Sequence, residues 1–324
     1  MKTYPDMRLR RLRKSPEIRE ILTETRIRKE KLIMPMFIDE NLSRPEEIKT
    51  MPGIFRYSEG TFIDKVKEYE EMGIRSVLLF GIPKSKDSRG SSSYDPKGII
   101  QRSIKKIKDE TGIVVFSDLC LCEYTDNGHC GLVVGDRIDN DSTLEIYARI
   151  AKSYAEAGTD GVAPSGMMDG QVGRIRRELD SSGFTDTLIM AYSSKFSSSL
   201  YSPFREAAYS APSFGDRRTY QMNYANRNEA MREIEEDIEE GADIVMVKPA
   251  LFYLDIVREA RNRFQLPLAA YSVSAEYSML MAASSMGFID LAPTVIEANS
   301  AIFRAGADIV ITYFAEFMVN KGLI

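Results

Sequence analysis

The octapeptide Ala242-Asp-Ile-Val-Met-Val-Lys248-Pro249 decides the fold class of this chain. Its centre, Ile244 to Val247, is apolar and rich in β-branched residues, which is typical of a buried strand. The strand ends in a lysine, and a charged amine at the mouth of a buried strand is costly unless it is paired or loses its proton. The stretch Thr187-Leu-Ile-Met-Ala-Tyr-Ser-Ser-Lys195 repeats this pattern. Two such lysines predict a site that uses amines as nucleophiles.

Similar apolar runs recur along the chain and alternate with amphipathic stretches. The runs predicted as strands are Lys31 to Ile38, Ser76 to Gly81, Ile113 to Ser117, Gly161 to Ser165, Thr187 to Ser193, Ile244 to Val247, Leu266 to Tyr271 and Ile309 to Tyr313. The stretches predicted as helices are Gly60 to Met72, Gly98 to Asp109, Ser142 to Ala157, Asp169 to Ser182, Asn228 to Glu240, Leu254 to Phe264, Ala275 to Met286 and Pro293 to Ala305. Strands that alternate with helices pair in parallel through crossovers.

Glycines mark the junctions between helices and apolar runs. Such junctions occur at Glu-Met-Gly73, Glu-Ala-Gly158, Glu-Glu-Gly241 and Arg-Ala-Gly306. Glycine just past a helix end supplies a left-handed cap. Eight strand–helix units predict an α/β fold, a (β/α)8 TIM barrel. A doubly wound open sheet is the alternative, although no glycine-rich phosphate loop follows the first strand.

Polar side chains occur where these strands end. Barrel enzymes place their chemistry at the carboxyl ends of the strands. The polar residues at those positions are Asp118, Cys120, Ser165, Lys195, Lys248, Ser274 and Tyr313. Their agreement across six strands predicts one site at that rim.

The composition limits the functional classes. Apolar residues make up 44% and charged residues 28%, as in ordinary soluble globular proteins. No apolar run approaches the roughly 18 residues of a membrane span, and the charged N-terminus predicts no secretory signal. A net charge of -5 argues against a nucleic-acid-binding protein. Three cysteines are too few for a disulfide framework, so we expect a reducing cytoplasm.

Residues 1–30 predict an N-terminal oligomerisation arm that precedes a catalytic barrel over residues 31–324. The run Met7 to Lys14 is basic, and Ser15 followed by Pro16 is typical of a helix start. The segment cannot bury a core alone, so we expect it to pack on a neighbouring subunit. Binding of nucleic acid or a membrane by the basic run is the alternative.

The two lysines end adjacent predicted strands. A lysine attacks a carbonyl only when its amine is unprotonated, and both burial and a second ammonium nearby favour the neutral amine. Lys195 and Lys248 are therefore candidate nucleophiles. The alternative is a pair of surface lysines, each in a salt bridge.

Three cysteines follow the third predicted strand. Cys120, Cys122 and Cys130 lie within eleven residues, and Gly128 allows the chain to turn back between them. Three thiolates leave a tetrahedral zinc ion one open position, which is typical of a catalytic site. His129, the only histidine, adjoins Cys130, and such neighbours rarely reach one ion together. Buried free cysteines and a zinc knuckle for nucleic acid are the alternatives.

The segment after Lys195 is too long and too irregular for a plain connection. We predict an active-site lid at about residues 196–220. Its arginines could bind a carboxylate through paired hydrogen bonds. These arginines are Arg205, Arg217 and Arg218. A disordered insertion is the alternative. Asp118 and Asp169 could orient substrate amines or waters, or could equally be helix caps.

Several motifs together resemble one family, the porphobilinogen synthases, also called 5-aminolevulinate dehydratases. The motifs are Cys120-x-Cys122 with Cys130, Ala163-Pro-Ser165 with Met168-Asp-Gly170, Tyr192-Ser-Ser-Lys195-Phe, Gly215-Asp-Arg217 with Tyr220-Gln221-Met, Met246-Val-Lys248-Pro-Ala, and Val273-Ser274-x-Glu276-Tyr. The resemblance extends from Arg10 to Tyr313. It implies a (β/α)8 barrel whose N-terminal arm embraces a neighbour, in a homo-octamer built of dimers.

The resemblance also implies a reaction, the condensation of two 5-aminolevulinate molecules to porphobilinogen, an early step of tetrapyrrole (haem) biosynthesis. Lys248 would form a Schiff base with the propionate-side substrate, and Lys195 would form one with the acetate-side substrate. The implied carboxylate-binding residues are Arg205, Arg217 and Gln221 on the acetate side and Ser274 and Tyr313 on the propionate side. We count Asp118 and Ser165 among the substrate-binding residues as well.

Two metal sites are implied by the same resemblance. Cys120, Cys122 and Cys130 match the zinc triad of the zinc-dependent members, whereas the magnesium-dependent branch has aspartates in this stretch. Glu233, in Arg232-Glu233-Ile, matches a carboxylate that holds an activating, allosteric magnesium near a subunit interface in some members.

Two other functions remain open from the residues alone. A lysine-dependent aldolase on the same barrel ranks second, although no phosphate loop for a sugar phosphate is present. A non-catalytic zinc-binding scaffold ranks third.

Overall fold

Parallel strands close into a barrel in the computed structural model, which describes residues 7–324. The strands are β1 (Leu32–Asp39), β2 (Glu46–Glu47), β3 (Phe55–Ser58), β4 (Ser76–Ile82), β5 (Val114–Leu119), β6 (Leu132–Val134), β7 (Arg137–Asp139), β8 (Gly161–Pro164), β9 (Leu188–Lys195), β10 (Ile244–Lys248), β11 (Leu268–Ser272) and β12 (Ile309–Thr312). The barrel order is β1-β4-β5-β8-β9-β10-β11-β12, and β12 pairs with β1 through Leu32 and Val310. The (β/α)8 prediction is confirmed, and the open-sheet alternative is wrong.

Most of the helices pack against the outside of the barrel. The helices are α1 (Pro16–Ile21), α2 (Phe62–Met72), α3 (Ile99–Glu110), α4 (Asn140–Ala157), α5 (Gln171–Ser181), α6 (Ser202–Ala207), α7 (Arg227–Glu239), α8 (Leu254–Arg263), α9 (Ser274–Ser285), α10 (Leu291–Ala305) and α11 (Ala315–Asn320). All eight predicted helices are present, and no end differs from its prediction by more than two residues. The junction glycines have the predicted positive φ, for example 83° at Gly73 and 98° at Gly158.

Two short pairs of strands add to the predicted elements. β2 and β3 continue the sheet beyond β1, and β6 pairs with β7 in a hairpin between β5 and α4. Glu46 and Glu47 are exposed, and β6 and β7 have three residues each. Elements of two to four residues are too short to show a hydrophobic period, which is why the sequence did not predict them.

An irregularity in β9 positions the first of the two lysines. Ala191 pairs with Val245 and Ser194 with Val247, so β9 contains one more residue than β10 over this length. In a regular strand Tyr192 and Lys195, three residues apart, would point to opposite faces. The extra residue brings them to the same side, and the Lys195 Nζ lies 5.5 Å from the centre of the Tyr192 ring.

The N-terminal segment begins outside the barrel. Ser15 caps α1 by accepting a hydrogen bond from the Ile18 N–H, with Pro16 in the first turn, as predicted. No residue of α1 is buried, and Leu12 and Ile21 are exposed. The part of the predicted arm over residues 1–6 lies outside the described residues. None of the helices within residues 7–324 has the length and apolar character needed to cross a bilayer.

Candidate active site

The two predicted lysines lie side by side at the carboxyl end of the barrel. Lys248 and Lys195 are paired residues in the ladder between β10 and β9. Each is only 5% exposed, and neither Nζ is within salt-bridge distance of a carboxylate of residues 7–324. The alternative of two surface lysines in salt bridges is therefore wrong.

Aromatic rings surround the Lys248 amine. The distances from Nζ to the ring centres are 4.1 Å for Tyr271, 4.9 Å for Tyr192, 5.3 Å for Phe204 and 5.5 Å for Tyr201. Burial, and next the positive charge of Lys195, lower the pKa of Lys248 to about 7. A substantial fraction of this amine is therefore neutral near pH 7, as a carbonyl nucleophile requires.

Lys195 has a more polar environment that includes Ser165 and Asp118. Its Nζ donates a hydrogen bond to the Ser165 carbonyl at 2.5 Å, and the Ser165 hydroxyl donates to Asp118 Oδ2 at 3.1 Å. Burial, and next the charge of Glu123, raise the pKa of Asp118 to about 7, against the opposing effect of both lysines. Asp118 lies inside β5, so the helix-cap interpretation of this residue is wrong. A carboxyl that titrates near neutrality beside two amines is suited to proton transfer.

The three cysteines converge as predicted. Cys120, Cys122 and Cys130 are buried and unbridged, and their sulfur atoms all lie within 4.8 Å of one another. Zinc–sulfur bonds of about 2.3 Å in a tetrahedron place sulfurs about 3.8 Å apart. The donor set and its spacing therefore fit a zinc ion with one position left open.

The pKa values of the thiols are shifted in different directions. Hydrogen bonds from Cys120 and Cys122 lower the pKa of Cys130 well below that of an ordinary thiol, whereas burial raises the pKa of Cys120. Glu123, which the sequence analysis did not single out, lies beside the cluster with Oε2 3.3 Å from the Cys122 sulfur.

Arg205, Arg217 and Gln221 each have buried polar atoms that lack a hydrogen-bond partner within residues 7–324. The Nε atoms of both arginines and both polar atoms of the Gln221 amide are buried and have no hydrogen-bond partner among the described residues. Repulsion by Arg217, after burial, lowers the pKa of Arg205. Arg205 and Arg217 also line a cavity of about 510 Å³. Buried donors without partners are costly, so this arrangement suits a bound anion.

Ser274 and Tyr313 have partners within the protein. The Ser274 hydroxyl accepts a hydrogen bond from the Phe204 N–H at 3.0 Å and donates one to the Leu200 carbonyl at 3.3 Å. The hydroxyls of Tyr313 and Tyr271 are 3.1 Å apart. Leu200 and Phe204 belong to segment 196–220. A ligand that forms a hydrogen bond with the Ser274 hydroxyl would therefore compete with the two hydrogen bonds that attach this segment to Ser274.

Glu233 lies in a different place, on α7. It borders a cavity of about 720 Å³ together with Asp169 and Glu229. Burial, and next the charge of Asp169, raise the pKa of Glu233 to about 7. The neighbouring carboxylates would accommodate a cation, and neither lysine borders this cavity.

Segment 196–220 is ordered rather than a disordered insertion. It contains a 3-10 turn at Ser199–Tyr201 and helix α6. Its backbone contacts the strand ends, because the Phe196 N–H and the Tyr201 hydroxyl both donate to the Lys248 carbonyl. Tyr201 and Phe204 from this segment are also two of the rings around the Lys248 amine.

The aromatic surroundings of Lys248 were missed by the sequence analysis. Tyr271 stands one residue before the end of β11, so its place near the rim was readable from the strand prediction. Tyr192 depends on the irregularity in β9, and Tyr201 and Phe204 depend on the fold of segment 196–220. No local pattern signals these three contacts.

A closed parallel barrel carries two buried lysines at one rim and a three-cysteine cluster on the loop after β5. This arrangement is typical of a barrel enzyme with its site at the carboxyl ends of the strands. A family model described as delta-aminolevulinic acid dehydratase matches residues 6–321. The chain belongs to the delta-aminolevulinic acid dehydratase family.

Similar proteins cover almost the whole chain. The delta-aminolevulinic acid dehydratase of Methanothermus sociabilis is 52% identical over 98% of this chain and 99% of its own. That of Methanothermobacter thermautotrophicus is 54% identical over 96% of each. The crystal structure of the Toxoplasma gondii ME49 enzyme (porphobilinogen synthase), in complex with the reaction product porphobilinogen, has a TM-score of 0.95 and 39% identity, covering 98% of this chain and 92% of that one.

Proposed function

We propose that the protein condenses two molecules of 5-aminolevulinate to porphobilinogen through Schiff bases on Lys248 and Lys195, in an early step of tetrapyrrole biosynthesis. The observation that carries the proposal is the pair of adjacent buried amines, with the pKa of Lys248 near 7. Membership of the delta-aminolevulinic acid dehydratase family supports the same substrate.

The chain's own residues supply the imine chemistry. The neutral Lys248 amine attacks the ketone of one substrate, water leaves, and a protonated imine forms that acidifies the adjacent carbon. Lys195 does the same with the second substrate once its amine leaves the Ser165 carbonyl. Asp118, which accepts a hydrogen bond from the Ser165 hydroxyl, would exchange protons with these groups. Both lysines are regenerated, so two substrates yield one product and two water molecules.

Cys120, Cys122 and Cys130 are the residues that would hold zinc. Zinc, when bound, would polarise a carbonyl or hold a hydroxide. The arginine pair and Gln221 would bind the acetate-side carboxylate, and Ser274 and Tyr313 the propionate-side carboxylate. Residues 196–220 would close over both substrates and exclude water, which strengthens the charge interactions inside the site.

Borohydride trapping tests this function. The full-length protein is incubated with 5-aminolevulinate, reduced and digested, and the adducts are located by mass spectrometry. We expect a substrate adduct on Lys248. When both substrate sites are occupied, we expect a second adduct on Lys195. Adducts formed with other carbonyl compounds but not with 5-aminolevulinate would favour an aldolase. A lack of lysine adducts with any carbonyl compound would favour a zinc-binding scaffold.

We also propose a homo-oligomer, an octamer, in which residues 1–30 pack on a neighbouring subunit. The exposed apolar side chains of Leu12 and Ile21 in this segment support the proposal, because a partner would bury them. Deletion of residues 1–30 should lower the assembly size measured by light scattering, and an unchanged size would contradict the arm.

Glu233 is our proposed site for an activating magnesium ion. Asp169 and Glu229 line the same cavity and carry carboxylate oxygens, the ligand type that magnesium prefers. Glu233→Gln should remove any stimulation by magnesium while leaving zinc-dependent turnover in place, measured as initial rates with and without added magnesium.

A further inference from the structure

His129 is a buried residue that the proposed reaction does not use. It lies between Gly128 and Cys130 and is only 2% exposed. Its ring contacts one part of the chain, which we call the arginine loop, residues 210–221. The loop that carries the three cysteines, residues 120–131, is called here the cysteine loop.

The two ring nitrogens of His129 reach two separate points of the arginine loop. Nε2 is 3.0 Å from the Phe214 carbonyl oxygen, and Nδ1 is 3.0 Å from the Tyr220 hydroxyl. These two points lie on either side of Arg217 in the sequence. The imidazole therefore holds both sides of the turn that carries the arginine.

The hydrogen-bond pattern is complete only for one arrangement of a neutral ring. A carbonyl oxygen only accepts, so Nε2 donates to Phe214 and Nδ1 accepts from the Tyr220 hydroxyl. The oxygen of that hydroxyl also accepts from the Cys130 N–H at 3.5 Å. One tyrosine oxygen thus bridges His129 to the backbone of a cysteine ligand.

Backbone contacts reinforce the same junction. The Ser213 N–H donates to the Asn127 carbonyl at 2.8 Å, and Arg217 Nη2 donates to the Gly128 carbonyl at 3.0 Å. Gly128 has a φ of 70°, and a Cβ there would lie 2.3 Å from the Ala211 carbonyl oxygen. Glycine is needed at this position because the two loops approach too closely for a side chain.

The arginine loop has little other means of support. Residues 208–226, all of which the structure describes, form no helix or strand. The conformation of the arginine loop therefore depends on side-chain contacts. Four side-chain hydrogen bonds join it to the cysteine loop. Order in one loop is expected to favour order in the other.

We propose that His129 is a positioning residue that ties the arginine loop to the cysteine loop, so that metal binding at the cysteines and carboxylate binding at Arg217 strengthen each other. This inference rests on the proposed function for the identity of the metal and of the carboxylate. Coupling of this kind is reciprocal: zinc raises the affinity for substrate by the factor by which substrate raises the affinity for zinc.

Three variants separate hydrogen bonding from packing. His129→Phe keeps a ring against Phe214, whose centre is 4.5 Å from the imidazole, but removes both hydrogen bonds. His129→Gln restores a donor that can reach the Phe214 carbonyl. Tyr220→Phe removes only the bridging hydroxyl, and Tyr57→Phe in β3 is the matched control for loss of a tyrosine hydroxyl elsewhere.

Hydrogen–deuterium exchange of the full-length protein is the decisive measurement, made with and without zinc. In the wild type, zinc should slow exchange across residues 210–221. In His129→Phe this effect should be lost although zinc still binds, and His129→Gln should recover part of it. Equal zinc protection in the wild type and His129→Phe, or no recovery in His129→Gln, would overturn the proposal.

Affinities provide the second readout. His129→Phe should raise the zinc Kd, measured by competition with a chromophoric chelator, and the KM for 5-aminolevulinate at saturating zinc. Each should rise roughly tenfold, as expected for two neutral hydrogen bonds, while kcat changes by less than about twofold. If the zinc Kd and the KM of His129→Phe both stay within twofold of wild type, the proposed coupling of the two loops through His129 is wrong. Zinc-dependent protection in a wild type that does not consume 5-aminolevulinate would support the tie and defeat the proposed function.

Discussion

The pocket around Lys248 and the cysteine loop belong to the same site, yet they are held in place differently. Lys248 stands on a strand, and two of the rings around its amine come from the neighbouring strands β9 and β11. The cysteine loop follows β5 and is held by contacts with the arginine loop and by a hydrogen bond from Tyr147 of α4 to the Cys130 carbonyl. The strands therefore position the amines, whereas the cysteines and Arg217 lie on loops that contact each other. Under our two proposals, we expect the amine chemistry and ligand binding to be separable in this molecule.

Lys248→Ala should produce the largest effect, because it removes a nucleophile that strands have already positioned. We expect turnover of 5-aminolevulinate to fall by about 10⁴-fold or more, with the fold retained by circular dichroism. Lys106→Ala is the matched control, since the Lys106 amine also lies over an aromatic ring, 5.6 Å from the centre of Phe62. Residual turnover near that of the control would refute the assignment.

Metal removal tests the cysteine loop rather than the strands that carry the lysines. A strong chelator should lower turnover by about 100-fold or more, and added zinc should restore it. Because the amines stand on strands, chelation should still leave Lys248 able to form a trapped imine. Turnover that is indifferent to chelation would contradict the cysteine assignment, and loss of trapping would contradict the separation of the two regions.

Arg217→Ala tests the carboxylate site, at saturating zinc because the same side chain also donates to the Gly128 carbonyl of the cysteine loop. The guanidinium has a buried Nε without a partner, so a substrate carboxylate is expected to gain charge-assisted hydrogen bonds there. We expect the KM for 5-aminolevulinate to rise roughly 10- to 100-fold, measured by initial rates at saturating zinc. Arg218→Ala is the matched control, because that neighbouring side chain is 74% exposed. Equal effects of the two variants would argue against a specific role for Arg217.

The pH dependence should show the smallest effect, about tenfold for each pH unit. The reactive form of Lys248 is the neutral amine, so the rate of imine trapping should fall as pH drops below about 7 and level off above it. Lys195→Ala removes a positive charge that lowers the pKa of Lys248, and it should move the inflection upward.

Asp118→Asn provides the control for that profile, because the pKa of Asp118 also lies near 7. If the inflection belongs to Lys248, it should persist in Asp118→Asn. An inflection that disappears in this variant, or that moves downward in Lys195→Ala, would assign the profile to a different group.

The sequence predicted the elements that hydrophobic burial determines. Eight apolar runs became the eight barrel strands, because each is long enough and apolar enough to be buried without help from distant residues. The rim position of Lys195 and Lys248 followed directly, since a lysine after a buried run has to lie at the strand end. The clustering of the cysteines was also predictable, because only nine residues lie between Cys120 and Cys130.

Features that depend on distant contacts were not predictable. From the sequence, His129 was interpreted only as a poor metal ligand. Its hydrogen-bond partners, Phe214 and Tyr220, are more than 80 residues away from it in the sequence, so no local pattern points to them. The engagement of the Ser274 hydroxyl by segment 196–220 has the same cause. Such contacts arise from loop packing, which leaves no period in the sequence.

The additional residue in β9 has a consequence for protein engineering. Tyr192 and Lys195 face the same interior only because the strand is one residue longer than its neighbour at that point. A designer who wished to transplant the Tyr192–Lys195 pair, with its spacing of three residues, into another parallel barrel would therefore have to lengthen a strand as well as substitute side chains. On a regular strand the same spacing would aim one of the two side chains at the surrounding helices.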